Sequence, residues 1–370
     1  MPRCTHVTAA ADPAWRLPPL PLEEWEPTKR TLHLWAQIVG KIRMAASAPR
    51  NHWWHVPLFV DVRGLTTRRL HAPDGTSFQI DFDFIDHALV VKTNRGETRW
   101  FPLVDGLSVA EFDSRLHAML AELVIDVAIA EMPFGVPTST PFPEDHRHAA
   151  YDRDAVDRFW RILDWTDTVF DEYAGWYCGK TSPVHLFWHS FDLALTRFGG
   201  KRAPAMPNAD AVTREAYSHE VVSFGFWAGD DNVREPTYYS YTAPEPDGLA
   251  TRALRPAQAH WVAQGSGSLA TLPYDAVRTA GDPRSTLLGF PGERLPGRRR
   301  RSRMEPGRAR IVMVPTGSAT CMNASVGCEA VAFRRVGPLV VPHVMAAGLA
   351  SSRRSSRQNP NRGASPAQAG

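Results

Sequence analysis

Residues 176–204 read W-Y-C-G-K-T-S-P-V-H-L-F-W-H-S-F-D-L-A-L-T-R-F-G-G-K-R-A-P, and they are the best punctuated stretch of the chain. Thr181 or Ser182 can cap a helix, and Pro183 suits a first helical turn, where its missing N–H would have no partner in any case. The Gly-Gly pair near the end of the stretch can terminate that helix. The stretch therefore predicts one helix over residues 183–198.

The predicted helix would carry one polar face, because four polar side chains recur at i, i+4, i+7 and i+11: His185, His189, Asp192 and Thr196. Imidazole and carboxylate groups are common ligands of divalent metal ions, so His185, His189 and Asp192 are candidate metal ligands. Three other side chains could complete the coordination sphere: His219, Glu220 or His260. A metalloprotease helix also needs Glu directly after its first His, and Leu186 stands there. The alternative is that both histidines are hydrogen-bonded residues at the edge of the core.

Composition favours a folded domain outside the membrane. The chain has 370 residues, of which 43% are apolar, with 12 Trp and 17 Phe, enough for a sizeable core. It has no apolar run of membrane-spanning length, and its first residues lack the apolar core of a signal peptide. We therefore expect a cytoplasmic protein that contacts no membrane. The four cysteines fit neither a disulfide framework nor a zinc knuckle, and Cys178 is expected to be a reduced, packed thiol.

Charge is distributed unevenly along the chain. Residues 290–370 carry 14 Arg, no Lys and three acids, a net charge of +11, whereas the whole chain has a formal net charge of +3. Residues 1–289 therefore carry a net charge of −8, which is not the basic footprint of a nucleic-acid-binding protein. We expect no nucleic-acid partner for the folded part.

The remaining segments predict an α+β fold in which antiparallel sheet meanders pack against helices. Helical spacing of apolar residues predicts helices over residues 28–49, 108–123 and 153–174, the second capped by Ser108 in a capping box with Glu111. Alternating and β-rich segments predict strands over residues 51–64, 78–84, 87–93, 98–103, 125–131, 219–227, 237–242, 259–262 and 268–272. Four prolines make residues 133–143 a rigid, irregular connection.

The two parts of the chain resemble each other faintly. The similar segments are L-H-L-W-A-Q (32–37) before H-V-P-L-F-V (55–60), and V-H-L-F-W-H (184–189) before H-E-V-V-S-F (219–224). Two similar halves would place His33 and Gln37 at the positions of His185 and His189. The alternative is that helix, loop and strand recur by accident, as they do in α+β proteins.

Aromatic residues near the same segments are typical of a ligand cleft, since small-molecule pockets are mostly apolar with a few placed polar groups. The candidate walls are Trp53, Trp54, Trp188, Trp227, Tyr239 and Tyr241, and the candidate polar anchors are His55, His185, Arg197 and Glu245. The alternative is that these aromatic rings are simply core.

Three function classes follow from these candidates. The leading hypothesis is a protein that binds a small organic ligand, with or without catalysis, in a cleft between the predicted helix 183–198 and the second meander. The second is a metal-dependent hydrolase that uses His185, His189 and Asp192, with a divalent metal as its only cofactor. The third is a non-enzymatic interaction module. No strong catalytic signature occurs in the chain, so the sequence does not decide whether the protein is an enzyme.

Several specific motifs carry a resemblance to a known family. They are L-P-L-E-E-W-E-P-T-K-R-T-L-H-L-W-A-Q-I-V-G-K from Leu20, P-R-N-H-W-W-H-V-P-L from Pro49, K-T-S-P-V-H-L-F-W-H-S-F-D-L-A-L-T-R-F from Lys180, S-F-G-F-W from Ser223, Y-S-Y-T-A-P-E-P from Tyr239 and L-P-Y-D-A-V-R from Leu272. Over residues 18–289 the chain resembles an uncharacterised bacterial family, domain of unknown function 5996. The resemblance implies no particular activity. It implies a C-terminal helix with a Gly-Trp pair and a small residue at the position of His189, a departure that counts against a two-histidine metal site.

The resulting domain organisation has three parts. We expect a disordered leader over residues 1–17, a single α+β domain over 18–289 and a disordered Arg-rich tail over 290–370. If the domain is duplicated, its halves are residues 18–132 and 151–289.

The tail differs from the rest of the chain, since all 12 Trp and all 8 Tyr precede it. Read one base along, Phe290 to Arg308 permits an amphipathic helix, F-L-E-S-A-Y-R-A-G-A-A-D-R-G-W-N-P, and the codons of Met304-Glu305 force its Trp. One hypothesis is that a frameshift near Gly289 replaced a native C-terminal helix. The alternative is a genuine Arg-rich tail that binds acidic surfaces.

Overall fold

The computed structural model describes residues 17–265 and 267–290. The helices in this part are α1 (Leu22–Ala45), α2 (Val109–Glu122), α3 (Arg153–Gly175), α4 (Ala211–Ala216), α5 (Tyr274–Arg278) and α6 (Pro283–Gly289). The strands are β1 (Phe59–Asp61), β2 (Gly64–Thr66), β3 (Leu70–His71), β4 (Ser77–Asp83), β5 (Ala88–Thr93), β6 (Thr98–Pro102), β7 (His185–Phe187), β8 (Asp192–Arg202), β9 (His219–Trp227), β10 (Thr237–Ala243), β11 (His260–Gln264) and β12 (Gly267–Pro273). The predicted α+β class with antiparallel meanders is confirmed.

Most of the predicted leader and nearly all of the predicted tail lie outside the described residues. The same holds for the frameshift hypothesis and for Cys4, Cys321 and Cys328. Cys178 lies inside them, and its thiol is free and exposed, so the prediction that it is packed is wrong.

The strands form two antiparallel sheets, each preceded by a long helix. The first has the order β1-β2-β4-β5-β6, with β3 also paired to β4, and the second has the order β11-β12-β10-β9-β8-β7. The two sheets meet where Leu58 and Leu186 exchange main-chain hydrogen bonds of 2.9 and 2.8 Å. Each sheet thus comes from one predicted half of the chain, and duplication of the halves stays a prediction.

The core of the first sheet is built by α1 and α2. The Ser108 side chain accepts a hydrogen bond from the main-chain N–H of Glu111, as a helix cap should. From α2, Phe112 stacks on Trp35 of α1, with ring centroids 4.9 Å apart, and faces Phe82 of β4 at 6.1 Å. This aromatic stack joins both helices to the sheet.

The second sheet has two different faces. Register pairs Leu193 with Phe226 and Phe226 with Tyr238, so these three side chains share one face, which packs against α3. On that face the Tyr238 hydroxyl lies 3.1 Å from the hydroxyl of Thr166 in α3. The opposite face carries the alternate residues of the same strands and lines a cavity.

The predicted helix over residues 183–198 is wrong, because this stretch forms the hairpin of β7 and β8. Its residues fit both a helical spacing and the two-residue alternation of a strand. In β8, Leu193 and Leu195 are buried on one face. Pairing with β9 supplies a hydrogen-bond ladder that the isolated sequence cannot show. The turn between the strands is closed by Phe191, whose φ of +58° lies in the left-handed region.

Other differences concern segment ends and short irregular elements. The predicted strand over residues 51–64 survives only as β1, since its first part is a 3-10 turn at Asn51–Trp53. No strand forms over residues 125–131. His33 and Gln37 lie on a helix, α1, whereas His185 lies on a strand, β7. The two pairs therefore do not occupy equivalent positions. No helix in the described ranges is long and apolar enough to cross a membrane.

A glycine in α1 lets the turn of the β7–β8 hairpin dock against this helix. A Cβ at Gly40 would lie 2.2 Å from ring atoms of Trp188, whose side chain is only 5% exposed. The Trp188 Nε1–H donates to the carbonyl of Val56 at 3.0 Å, so the ring is fixed from its other edge. The close approach of helix and indole therefore requires glycine.

We predict that Gly40→Ala destabilises the protein. Alanine favours a helix over glycine by about 1 kcal/mol, but overpacking a fixed, buried ring costs roughly 1–3 kcal/mol or more, so the clash should prevail. Gly175→Ala is the matched control, because this helical glycine has open space around its added Cβ. Chemical denaturation of both variants checks the sign, and a stabilised Gly40→Ala would contradict the packing described above.

Candidate functional site

A cavity of about 1090 Å³ lies against the second sheet, on the face opposite α3. Its other walls are α1, the segment 52–56, α4 and residues 130–138, which we call the strap. Ten aromatic side chains line it: Trp53, Trp54, Phe134, Phe187, Trp188, Phe198, Tyr217, Trp227, Tyr239 and Tyr241. Ordinary ligand pockets have volumes of roughly 300–1,000 Å³, so this cavity is large enough for a small organic molecule.

The polar stripe expected on a helix lines this cavity from a hairpin instead. In register, His185 pairs with Ala194 and Phe187 pairs with Asp192, and residues directly opposite each other share a face. His185, Asp192 and Thr196 therefore point to the same side of the sheet, while His189 reaches the cavity from the turn. The shared surface was predicted, but the secondary structure that creates it was not.

Asp192 is the centre of a hydroxyl network on the sheet. It is 4% exposed, and its carboxylate accepts hydrogen bonds from the hydroxyls of Ser190 and Tyr239. Tyr239 stacks on Tyr241, with ring centroids 6.3 Å apart and planes 11° apart, and the Tyr241 and Tyr217 hydroxyls lie 2.8 Å apart. Burial raises the pKa of Asp192 above its ordinary value, and burial beside this carboxylate raises the pKa of Tyr239.

The Tyr239 ring lies over a glycine of the neighbouring strand. Gly225 is its register partner, and a Cβ at this position would come within 2.1 Å of the tyrosine ring. The absence of a side chain on β9 therefore lets Tyr239 lean across the sheet toward Asp192.

Four buried polar residues on α1, which we call the α1 stripe, hold the opposite wall. They recur every four residues, at Lys29, His33, Gln37 and Lys41. Each bonds a main-chain carbonyl of a different loop position: Lys29 bonds Gly229, His33 bonds His189 at 3.2 Å, Gln37 bonds Phe134 at 2.7 Å, and Lys41 bonds both Ala130, at 2.9 Å, and Met132. One helix thus positions three segments that line the cavity.

Gln37 makes the tightest of these connections. Its amide N–H donates to the carbonyl of Phe134, and its amide oxygen accepts from the main-chain N–H of the same residue, both at 2.7 Å. This pair of hydrogen bonds satisfies both main-chain groups of the residue at the centre of the strap.

Burial lowers the pKa values of three residues of the α1 stripe. It lowers the pKa of Lys29 and of Lys41 to about 8, and it lowers the pKa of His33, with a contribution from the nearby positive charge of Lys29, to about 3. His33 is therefore neutral at physiological pH and donates to the His189 carbonyl as an imidazole.

A strained segment of the cavity wall lies beside α4. His52 and Trp53 have φ values of +57° and +61°, which non-glycine residues adopt only when the surrounding structure holds them there. The imidazole of His52 contacts the Glu215 carbonyl at 3.2 Å and the Lys180 ammonium at 2.8 Å. The Lys180 ammonium also lies 5.0 Å from the ring centre of Trp54. Burial, together with this ammonium group, lowers the pKa of His52.

In the part of the chain that the structure describes, His185 has an unpaired ring nitrogen on the cavity wall, as Trp53 does. It is 1% exposed, and its Nδ1 has no hydrogen-bond partner within the described ranges. Burial, reinforced by the positive charges of Arg43 and Arg68, lowers its pKa to about 3. The imidazole is therefore neutral, and an unpaired buried polar atom costs about 1–3 kcal/mol.

The structure brings together all six aromatic walls predicted from sequence. Trp54, His185, Trp188, Tyr239 and Tyr241 line the cavity, as do Trp53 and Trp227 among the rings proposed with them.

Three other predicted anchors lie elsewhere. Arg197 points to the α3 side, where its guanidinium donates to the Tyr173 carbonyl and lies 3.4 Å from that ring's centre. His55 accepts from the main-chain N–H of Arg50 at 3.2 Å. Glu245 accepts from the main-chain N–H and the hydroxyl of Ser268.

No group of three or more metal-ligating side chains occurs in the part of the chain that the structure describes. The i, i+4, i+7 spacing of His185, His189 and Asp192 would gather them only on a helix, and this segment is a hairpin.

The α1 stripe, the strap and Tyr217 were not recognised from sequence as site elements. A usable signal for the stripe existed, because Lys29, His33, Gln37 and Lys41 recur at four-residue intervals and the last three interrupt an otherwise apolar run over residues 32–42. The partners of the stripe were not readable, since they are main-chain carbonyls of distant loops.

Comparison with known families places the chain by sequence. The family described as "Family of unknown function (DUF5996)" matches residues 17–294. The chain belongs to this family. No curated protein and no solved structure matches the chain. The resemblance found in the sequence motifs is thus confirmed, and the DUF5996 assignment carries no activity with it.

We predict that Gln37→Leu loosens the strap of this DUF5996 protein. Leucine has a similar size but leaves the main-chain N–H and carbonyl of Phe134 unpaired, which should cost about 1–3 kcal/mol for each group that stays buried. Gln79→Leu is the control, because among the described residues Gln79 bonds only the side chain of Asp81. Hydrogen exchange should become faster over residues 130–138 in the first variant alone. Unchanged exchange there would contradict a clamping role for Gln37.

We predict that neutral, buried His185 makes stability fall at acid pH. Its folded pKa of about 3 lies below the unfolded value of 6.5, so its contribution is present above pH 6.5 and is lost as pH falls toward 3. Between pH 7 and pH 5 the loss is about 2 kcal/mol for this residue. His185→Gln should therefore show a smaller loss of unfolding free energy over this interval than the wild type, whatever its stability at pH 7. Equal losses would contradict a neutral His185.

Proposed function

We propose that this protein binds a small organic ligand in the cavity between its second sheet and α1. The observation that carries the proposal is the cavity itself, about 1090 Å³ in volume, whose lining combines ten aromatic rings with polar groups held at fixed positions. This mixture is typical of sites that bind small molecules, where apolar walls supply affinity and a few polar groups fix orientation.

The arrangement of the walls supports the proposal. On the sheet side, Asp192 and Tyr239 are fixed by their mutual hydrogen bond and by the ladder of β8, β9 and β10. On the other side, the α1 stripe bonds the strap and the hairpin turn. A cavity with both walls held in this way loses little conformational entropy when a ligand binds, which favours affinity.

The metal-dependent hydrolase has less support than ligand binding. No group of three or more metal-ligating side chains occurs among the described residues, and His185 is a buried imidazole on a strand. Whether ligand binding leads to catalysis and whether the protein is cytoplasmic both stay predictions from the sequence.

A matched pair of variants on α4 tests ligand binding. Ala216 lines the cavity, whereas Ala211 on the same short helix is exposed and outside it, so Ala216→Trp should obstruct the cavity and Ala211→Trp should not. In a thermal-shift screen of a small-molecule library, we expect compounds that stabilise the wild type and Ala211→Trp but not Ala216→Trp. A ligand at 100 times its Kd stabilises a protein by about 2.7 kcal/mol, which a melting curve resolves.

Two outcomes of this screen would contradict the proposal. One is the absence of any saturable ligand for the wild type. The other is a set of ligands that Ala216→Trp still binds with wild-type affinity, since these would occupy another surface. Melting of each variant without ligand controls for a general loss of stability.

A further inference from the structure

The chain leaves one buried carboxylate in the cavity without a cationic partner. The side-chain donors to the Asp192 carboxylate are the hydroxyls of Ser190 and Tyr239, and no Lys, Arg or His of the described residues forms an ion pair with it. Buried carboxylates that stay ionised are normally paired with a cation or coordinated to a metal, and the others take up a proton. An acid held by neutral donors alone can still attract a positive charge from outside the chain.

Aromatic rings surround this carboxylate on the cavity face. In the sheet register, Phe187 of β7 is its partner on one side and Trp227 of β9 is its partner on the other. Both rings are half-buried and line the cavity, and Tyr239 joins them through its hydroxyl. Aromatic faces attract organic cations within about 6 Å of the ring centre.

The two lysines of the α1 stripe that line the cavity are engaged elsewhere. Lys29 and Lys41 line the same cavity, but their ammonium groups donate to main-chain carbonyls of the loop at Gly229 and of the strap. Other aromatic rings do receive cations from the chain, as when Arg68 lies 3.6 Å from the ring centre of Phe59. Within the described ranges, no such cation lies over Phe187, Trp227 or Tyr239.

We propose that the ligand of the cavity is an organic ammonium ion, with its charge against the Asp192 carboxylate and its carbon groups against Phe187, Trp227 and Tyr239. The proposal rests on the ligand-binding function inferred above and names the chemical class of that ligand. A quaternary or primary ammonium supplies the positively charged partner that the carboxylate lacks. Its methyl or methylene groups suit the aromatic walls.

Two pairs of probes, matched in shape but not in charge, test this directly. They are choline against 3,3-dimethyl-1-butanol and benzylamine against benzyl alcohol, measured by titration calorimetry on the full chain at pH 7. In the wild type, we expect each ammonium to bind at least about tenfold more tightly than its neutral partner. This comparison needs no variant, so it holds even if a substitution at the buried acid disturbs folding.

The variants then assign the preference to one carboxylate. Asp192→Asn keeps the size of the side chain and removes its charge, so the preference for ammonium should disappear. Ser190→Ala removes one hydrogen bond to Asp192 but keeps its charge, so the preference should remain. If Asp192 were a neutral acid in the binding-competent protein, the asparagine variant would bind as the wild type does, and the proposal would be overturned.

The failure of this proposal can be separated from the failure of ligand binding as such. Neutral or anionic library compounds that bind the wild type and Asp192→Asn equally, but not Ala216→Trp, would overturn the ammonium class and leave the cavity as a ligand site. Neutral partners that bind as tightly as the ammonium probes would do the same. If no ammonium probe and no library compound binds, both proposals fail.

Discussion

The arrangement of this protein depends on the buried polar stripe of α1. Its four residues, Lys29, His33, Gln37 and Lys41, lie inside the protein. They donate hydrogen bonds to main-chain carbonyls of loops that are far away in sequence. An apolar stripe could fill the same space, but it could not select which atom of a loop lies against it. Hydrogen bonds from a rigid helix can select one loop atom, because a misplaced loop would leave buried groups unpaired. Each unpaired buried group costs about 1–3 kcal/mol against a total stability of roughly 5–15 kcal/mol.

The second sheet provides the other half of the cavity because its two faces differ so strongly. The face toward α3 carries Leu193, Phe226 and Tyr238 and belongs to the main core. The cavity face interrupts its aromatic rings with Asp192, Thr196 and Ser223, whose polar groups bond one another or the tyrosines, as in the 2.9 Å contact between the hydroxyls of Thr196 and Ser223. One set of strands therefore contributes both to stability and to a polar, shaped surface.

The sequence predicted the class of the fold well where local signals and tertiary contacts agree. Helix α3 and strand β9 lie almost where periodicity placed them, and Ser108 caps α2 as expected. The central stretch failed for a specific reason. Pro183 and the Gly-Gly pair punctuate it like a helix, but pairing of β8 with β9 outweighs these weak end signals. Its polar residues still share a face because i and i+4 lie on one side of a strand as well as of a helix, as Asp192 and Thr196 do.

The parts of the site that sequence could not supply are those set by close approach of distant main chain. Gly40 and Gly225 look like weak points of a helix and a strand, yet each is the place where an aromatic ring, Trp188 or Tyr239, crosses from another element. The first crossing docks the hairpin turn on α1, and the second brings a hydroxyl to Asp192. Both walls of the cavity thus depend on residues that need never touch a ligand, so stability and cavity shape are coupled through α1 and β9. Substitutions that change binding should therefore include positions outside the cavity lining, as expected for a site whose geometry is held by packed helices and strands.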